Sequence, residues 1–110
     1  MTDDTLGSLE LTVLLAVMRL GREAYGLAIR SDVSARTAHD YSVGAIYTTL
    51  QRLEGKGLLS STLSDPLPVR GGRARREFSL TTTGQRALRD ARRVAVSVWS
   101  GIGILRPESA

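Results

Sequence analysis

The side chains best suited to chemistry in this 110-residue chain are hydrogen-bonding groups and arginines, and they fall into two sets. In the stretch Tyr41–Leu59, YSVGAIYTTLQRLEGKGLL, Gly44, Thr48, Gln51, Arg52 and Gly55 share one face of a helical pattern. An ordinary solvated helix more often carries a lattice of Glu and Lys on such a face. Small and hydrogen-bonding residues permit close approach to a groove and leave side chains free to read base edges, Arg52 being suited to guanine. A polar surface helix accounts for the same residues, so the rest of the chain must decide. The second set is Arg70, Arg73, Arg75 and Arg76, four cations within seven residues of a segment interrupted by Pro66, Pro68, Gly71 and Gly72. Those prolines and glycines prevent regular structure. A cationic tip of this kind suits phosphate backbone or a minor groove, and its alternative is a solvated loop.

Other chemistry lacks its reagents. The chain has no cysteine, and His39 is its one histidine, so neither thiol chemistry nor a His/Cys zinc site can be assembled from a single copy. No nucleophile and base converge, and the chain is not expected to be an enzyme or to need a cofactor or metal. Through Val69 there are six Lys and Arg against eight Asp and Glu, and from Arg70 onward nine against three, so a net +4 is concentrated in the second part. Such asymmetry suits an anionic partner, although a basic surface also serves solubility. The start, MTDDTLG, is acidic where a secretory signal is basic, and the apolar run Leu11–Met18 is too short to span a bilayer. A cytoplasmic protein without a membrane partner is expected.

The elements that must position these two sets follow from patterning. Ser8–Leu20, SLELTVLLAVMRL, reads as a first helix ending near Gly21. Leu9, Val13, Ala16 and Leu20 take one side while Leu11, Leu14, Leu15 and Met18 cover much of the rest, so this helix needs cover nearly all round. A second helix runs from Tyr25 to about Ala35, with Tyr25, Ile29 and Val33 inward and Arg30 and Asp32 outward. Arg36–Asp40 is a polar turn, in which His39 is expected to be solvated. The third helix takes Ser42 as N-cap, with Tyr41 and Ile46 as a hydrophobic staple. Ile46, Leu50, Leu53 and Gly57 form its inward face, and Gly57 also stops it. Leu59–Leu63 and Arg76–Leu80 then read as two strands of a hairpin whose tip is the cationic segment. Helix, turn, capped helix and cationic hairpin together predict a winged helix-turn-helix: a mainly α fold with a small β-hairpin, over residues 1–82.

Residues 83–110 predict a last helix, from about Thr83 to Gly101 or Leu105. Gly84, Leu88, Ala91, Ala95, Val98, Ile102 and Leu105 alternate steps of four and three, the spacing of a coiled-coil seam. Its natural partners are the over-apolar first helix and the same helix of a second copy, so a homodimer is expected through Leu88, Ala91, Ala95, Val98 and Ile102. Trp99 lies late on this helix. It serves either as a packing residue or, facing its symmetry mate, as one wall of a site for a planar aromatic molecule that also includes Ala95 and Met18.

The pieces LELTVLLAV, EAYGLAI, SVGAIYTTLQRLEGKGLL and GGRARREFSLTTTG resemble the PadR family of bacterial transcriptional regulators, across roughly three-quarters of the chain. The resemblance implies a dimeric winged-helix repressor bound to an inverted-repeat operator in double-stranded DNA, in some members released by a phenolic or other aromatic compound. The single C-terminal helix is similar to that of the short subfamily, in which aromatic ligands lie between subunits near a tryptophan. From the parts themselves, the expected DNA-binding set is Ser42, Gly44, Tyr47, Thr48, Gln51, Arg52, Arg70, Arg73 and Arg75, with Tyr47 and the wing arginines on phosphates and Thr48, Gln51 and Arg52 in the major groove. A winged helix also serves as a protein-docking module, and that reading stays open at this point.

Overall fold

The computed structural model describes residues 6–64 and 74–102. Four helices, α1 (Ser8–Leu20), α2 (Gly26–Thr37), α3 (Val43–Gly55) and α4 (Thr82–Trp99), enclose an antiparallel hairpin of β1 (Leu59–Leu63) and β2 (Arg76–Leu80). The hairpin pairs Leu59 with Leu80 and Leu63 with Arg76. Ser64 N–H to the Arg75 carbonyl (2.7 Å) and Arg75 N–H to Ser64 Oγ (3.0 Å) carry the pairing one step beyond the strands. On the other edge of β2, Phe78 N–H donates to the Ala24 carbonyl (2.8 Å) and Tyr25 bridges to Glu77. The segment between α1 and α2 therefore adds a single β-bridge to the edge of β2, and it satisfies backbone groups that would otherwise be unpaired there.

One core joins all of these elements. Val13, Leu14, Ala16 and Val17 of α1, Ile29 and Val33 of α2, Ile46, Leu50 and Leu53 of α3, Leu58, Leu59 and Phe78 of the hairpin region and Leu88 of α4 are all buried. Gly21, at φ +58, ends α1 and turns the chain through a single 3₁₀ turn, Gly21–Glu23, into the segment that bridges to β2.

The second helix starts at Gly26, with Tyr25 half-buried at its N-cap position, and extends to Thr37, beyond the predicted end. Arg30 and Asp32 do not simply face solvent. Arg30 donates through Nε to the Tyr41 carbonyl (2.6 Å) and reaches Asp40 Oδ1 (3.2 Å), which ties α2 to the turn before α3. Asp32 pairs with Arg19 of α1 and, at 3.4 Å, with Arg36. A polar residue on the rim of a helix thus fastens neighbouring elements, which helical periodicity alone cannot reveal. His39 is exposed, its ring tilted against that of Tyr41 with centroids 4.2 Å apart.

The last helix docks through its first turns only. Thr81 caps it, accepting from Gly84 N–H (2.9 Å) while its hydroxyl donates to the Gly57 carbonyl (2.7 Å). Gly84 lies directly on the chain after α3: a Cβ there would overlap the Leu58 carbonyl oxygen and press on Leu80. Leu88 is buried in its own domain's core, and Ala87 packs against that core, whereas residues 92–102 are all exposed.

Candidate nucleic-acid interface

The third helix is fixed at both ends. Ser42 Oγ accepts from Ala45 N–H (3.0 Å), as an N-cap should, and Tyr41 packs on the core beside buried Ile46. At the other end Gly57, at φ +77, donates its N–H to the Glu54 carbonyl (3.0 Å) and Leu58 donates to the Leu53 carbonyl (3.0 Å), the two bonds of a Schellman stop. That geometry corrects one expectation. Gly57 is exposed rather than inward, because the left-handed residue of such a stop turns the chain away from the helix axis. The fourth inward residue is instead Thr49, buried with its hydroxyl donating to the Ala45 carbonyl (2.8 Å). Bonding back one turn lets a threonine enter an apolar face, and no pattern of apolar residues signals it.

With Ile46, Thr49, Leu50 and Leu53 turned inward, Gly44, Tyr47, Thr48, Gln51, Arg52 and Gly55 are all exposed along the opposite face. Tyr47 is held on one side of it. Its ring lies over Gly26 so closely that a Cβ at Gly26 would overlap the phenol. Tyr25-Gly26 and Tyr47 are thus two halves of one contact between α2 and α3.

One ion pair and one hydrogen-bonded polar chain connect α3 to its surroundings. Glu10 of α1 accepts from Lys56 Nζ (2.9 Å) just past the helix and from Gly7 N–H (3.0 Å) at the start of α1. Burial pushes the Glu10 carboxyl up, but the Lys56 and Gly7 hydrogen bonds and the charges of Lys56 and Arg52 outweigh it and hold the carboxyl below its ordinary value. In the polar chain Ser61 Oγ donates to Glu54 Oε2 (2.6 Å) and accepts from Arg76 (3.0 Å), so α3, β1 and β2 share one chain of polar contacts. Neither was foreseen from the sequence.

Of the predicted wing arginines, Arg70 and Arg73 lie outside the described residues, and Arg75 stands one residue before β2, on the tip side of the hairpin. The Arg75 guanidinium is stacked 4.0 Å over the Tyr25 ring, so in this structure it belongs to the packing of the hairpin against the segment between α1 and α2.

The residues predicted for dimerisation and ligand binding separate into different places. Ala91, Ala95, Val98 and Trp99 line an open cleft of about 1030 Å³ between α4, Leu6 and Leu11 at the start of the chain and α1, and Lys56 and Leu58 just after α3. Ile102 is exposed just beyond, and Leu88 faces the core. Met18 is not in that cleft within one chain. It borders another, of about 450 Å³, against Phe78 and Leu80 of the hairpin. Among the described residues no cluster of His, Cys, Asp or Glu could hold a metal ion, and no helix is long and apolar enough to cross a membrane.

The arrangement has known counterparts. A model of the transcriptional regulator PadR-like family matches residues 14–90, from within α1 to the first half of α4. The chain belongs to the PadR-like family of transcriptional regulators. The matched span takes in the second half of α1, α2, α3, the hairpin and the capped start of α4. Among solved structures, a PadR family regulator from Eggerthella lenta is similar at 29% identity and TM-score 0.63, covering 86% of this chain and 84% of its own. RosR of H. salinarum is similar at 26% identity and TM-score 0.68, over 89% of this chain and 81% of its own. At 19% identity, Bordetella bronchiseptica BpsR shares the fold, with TM-score 0.62 over 97% of this chain and 73% of its own; its structure concerns regulation of its DNA binding by 6-hydroxynicotinic acid. No curated protein matches the chain in sequence.

Proposed function

We propose that this PadR-like chain is a homodimeric repressor that binds an inverted-repeat operator in double-stranded DNA. The observation that carries the reading is the exposed face of α3, where Gly44, Thr48, Gln51 and Arg52 stand free of the core on a helix fixed at both ends. Fixed ends favour reading by shape and hydrogen bonds, because little ordering is left to offset on binding. In this proposal α3 enters the major groove, Thr48, Gln51 and Arg52 meet base edges, and Ser42, Tyr47, Arg70 and Arg73 contact phosphates. Arg75 joins them only if its guanidinium leaves the Tyr25 ring.

The homodimer is supported by the cleft along α4, whose Val94, Val98, Trp99 and Ile102 side chains are exposed. A solvent-facing row of that kind is the usual sign of an interaction surface. Two α3 helices of such a dimer, set about 34 Å or one turn of DNA apart, would read an inverted repeat. A planar aromatic effector beside Trp99 and Ala95 would act by preferring one spacing of the two helices over another.

The test is binding to a labelled copy of the protein's own upstream region and to operators from random-site selection, at several salt concentrations. Arg52→Ala should relax discrimination between sequences, and Arg73→Ala should weaken all sequences and lower the salt slope by about one unit. A protein-docking module would show no sequence-dependent affinity at any salt, and that result would replace the repressor reading.

A further inference from the structure

The smaller cleft, of about 450 Å³, has no lining residue from α3 and shares none with the cleft beside Trp99. Three elements build it. Arg22 comes from the 3₁₀ turn after α1, Glu77 from β2 and Gln85 from the first turn of α4, beside buried Val17 and Phe78 and with Met18 exposed. Backbone contacts hold the segment that carries Arg22 against the strand that carries Glu77, through the Phe78 N–H bond to the Ala24 carbonyl (2.8 Å) and the bridge of Tyr25 to Glu77. Glu77 is half-buried, so its charge is partly withdrawn from water. Yet among the described residues neither Arg22 nor Glu77 takes part in an ion pair, with each other or with a third group.

We infer that this cleft binds a free α-amino acid with an apolar side chain, Arg22 holding its carboxylate, Glu77 its ammonium group, and Val17, Met18 and Phe78 its side chain. Apolar walls with a few polar groups of fixed position are the usual form of a small-molecule site, and the polar groups select the ligand. Arg22 offers a planar fork of donors that fits a carboxylate, and Glu77 offers acceptors alone. Opposite charges left unpaired on one cleft suit a molecule that carries both signs itself. The apolar wall adds affinity only where that molecule also has apolar area to bury. The Gln85 amide both donates and accepts, so it can serve either charged end. This site goes beyond the DNA-binding reading and does not depend on it.

The experiment uses the full chain carrying carbon-13 at its methionine methyl groups, of which there are two, on Met1 and Met18. Valine, leucine, methionine and phenylalanine are titrated in turn. At least one should shift the Met18 methyl signal to saturation, while the fluorescence of Trp99, which lines the other cleft, stays constant. The tightest is then compared with its decarboxylated amine and its deaminated acid, for leucine 3-methylbutylamine and 4-methylpentanoate. Each analogue should bind about tenfold more weakly, the factor that loss of one charged hydrogen-bonded contact implies. Arg22→Ala and Glu77→Gln should weaken the amino acid by the same factor. The amine should bind Arg22→Ala as it binds wild type, and the acid should bind Glu77→Gln as it binds wild type, which a merely structural role for either residue would not produce. No saturable Met18 shift with any of the amino acids, a response at Trp99 instead, or an affinity unchanged in both variants overturns the site, and none of these results touches the DNA reading.

Discussion

The third and fourth helices are built on opposite terms. Every inward side chain of α3 is covered by its own chain, its ends carry a side-chain cap and a Schellman stop, and Lys56 and Glu54 tie its last turn to α1 and the hairpin. The distal half of α4 has none of this: Val94, Val96, Val98 and Trp99 are exposed, and Trp99 to 56%. A reading surface gains from being rigid before it binds, whereas a surface left apolar and open is complete only when something covers it. The fold thus holds firmly the face proposed for DNA and leaves open the face proposed for a second copy.

The sharpest way to break the comparison is at the joint between the two helices. Gly84→Ala would drive a methyl into the Leu58 carbonyl, a backbone atom that cannot rotate aside, and so lift α4 off the end of α3. A loss of about 3 kcal/mol in urea unfolding is expected, at the upper end for overpacking. A variant as stable as wild type would mean that α4 is not seated as described. Val98→Asp probes the open half instead. Stability contributed within the chain should hardly change, but sedimentation should move toward the monomer mass, and operator affinity should fall on the order of 100-fold as two linked half-sites become independent. An unchanged mass would remove α4 from the interface.

How much of this was legible beforehand depended on the range of the interaction. The limits of α1, β1 and β2, the Ser42 cap and the Gly57 stop follow from neighbours within a few residues, and each was read correctly. Glu10 with Lys56, Arg30 with the Tyr41 carbonyl and Arg75 with the Tyr25 ring join residues far apart in sequence, and no local pattern distinguishes them from solvated charges. Tyr47 belongs to the DNA-binding set expected from the sequence, while its packing over Gly26 depends on how α2 crosses α3 and is not legible there. The exposed face of α3 is legible as residue types, because Gly44, Thr48, Gln51 and Arg52 recur at helical spacing and all are exposed.

The Glu10–Lys56 contact gives a smaller effect with a defined pH dependence. Because the folded carboxyl lies below its ordinary value, its contribution is present above the unfolded value, about 4.3, and is lost as pH falls through the folded one. Glu10→Gln should therefore cost about 1 kcal/mol at neutral pH, and its urea midpoint should fall less steeply than that of wild type between about pH 5 and pH 3. Parallel curves for the two proteins would show that the pair contributes nothing to holding α3.

The smallest effects separate the two caps. Ser42 makes one capping bond, to Ala45 N–H, while Thr81 both accepts from Gly84 N–H and donates to the Gly57 carbonyl, so it ties the start of α4 to the stop of α3. Ser42→Ala should cost about 1 kcal/mol, the ordinary value for a cap, and Thr81→Ala somewhat more, because the Gly57 carbonyl also loses its donor. Hydrogen exchange places each loss. Protection should fall in the first turn of α3 for Ser42→Ala, and on both sides of the joint for Thr81→Ala. If Thr81→Ala loosened α4 alone, its bond to Gly57 would not couple the two helices, and the firm and open halves of the molecule would be held independently.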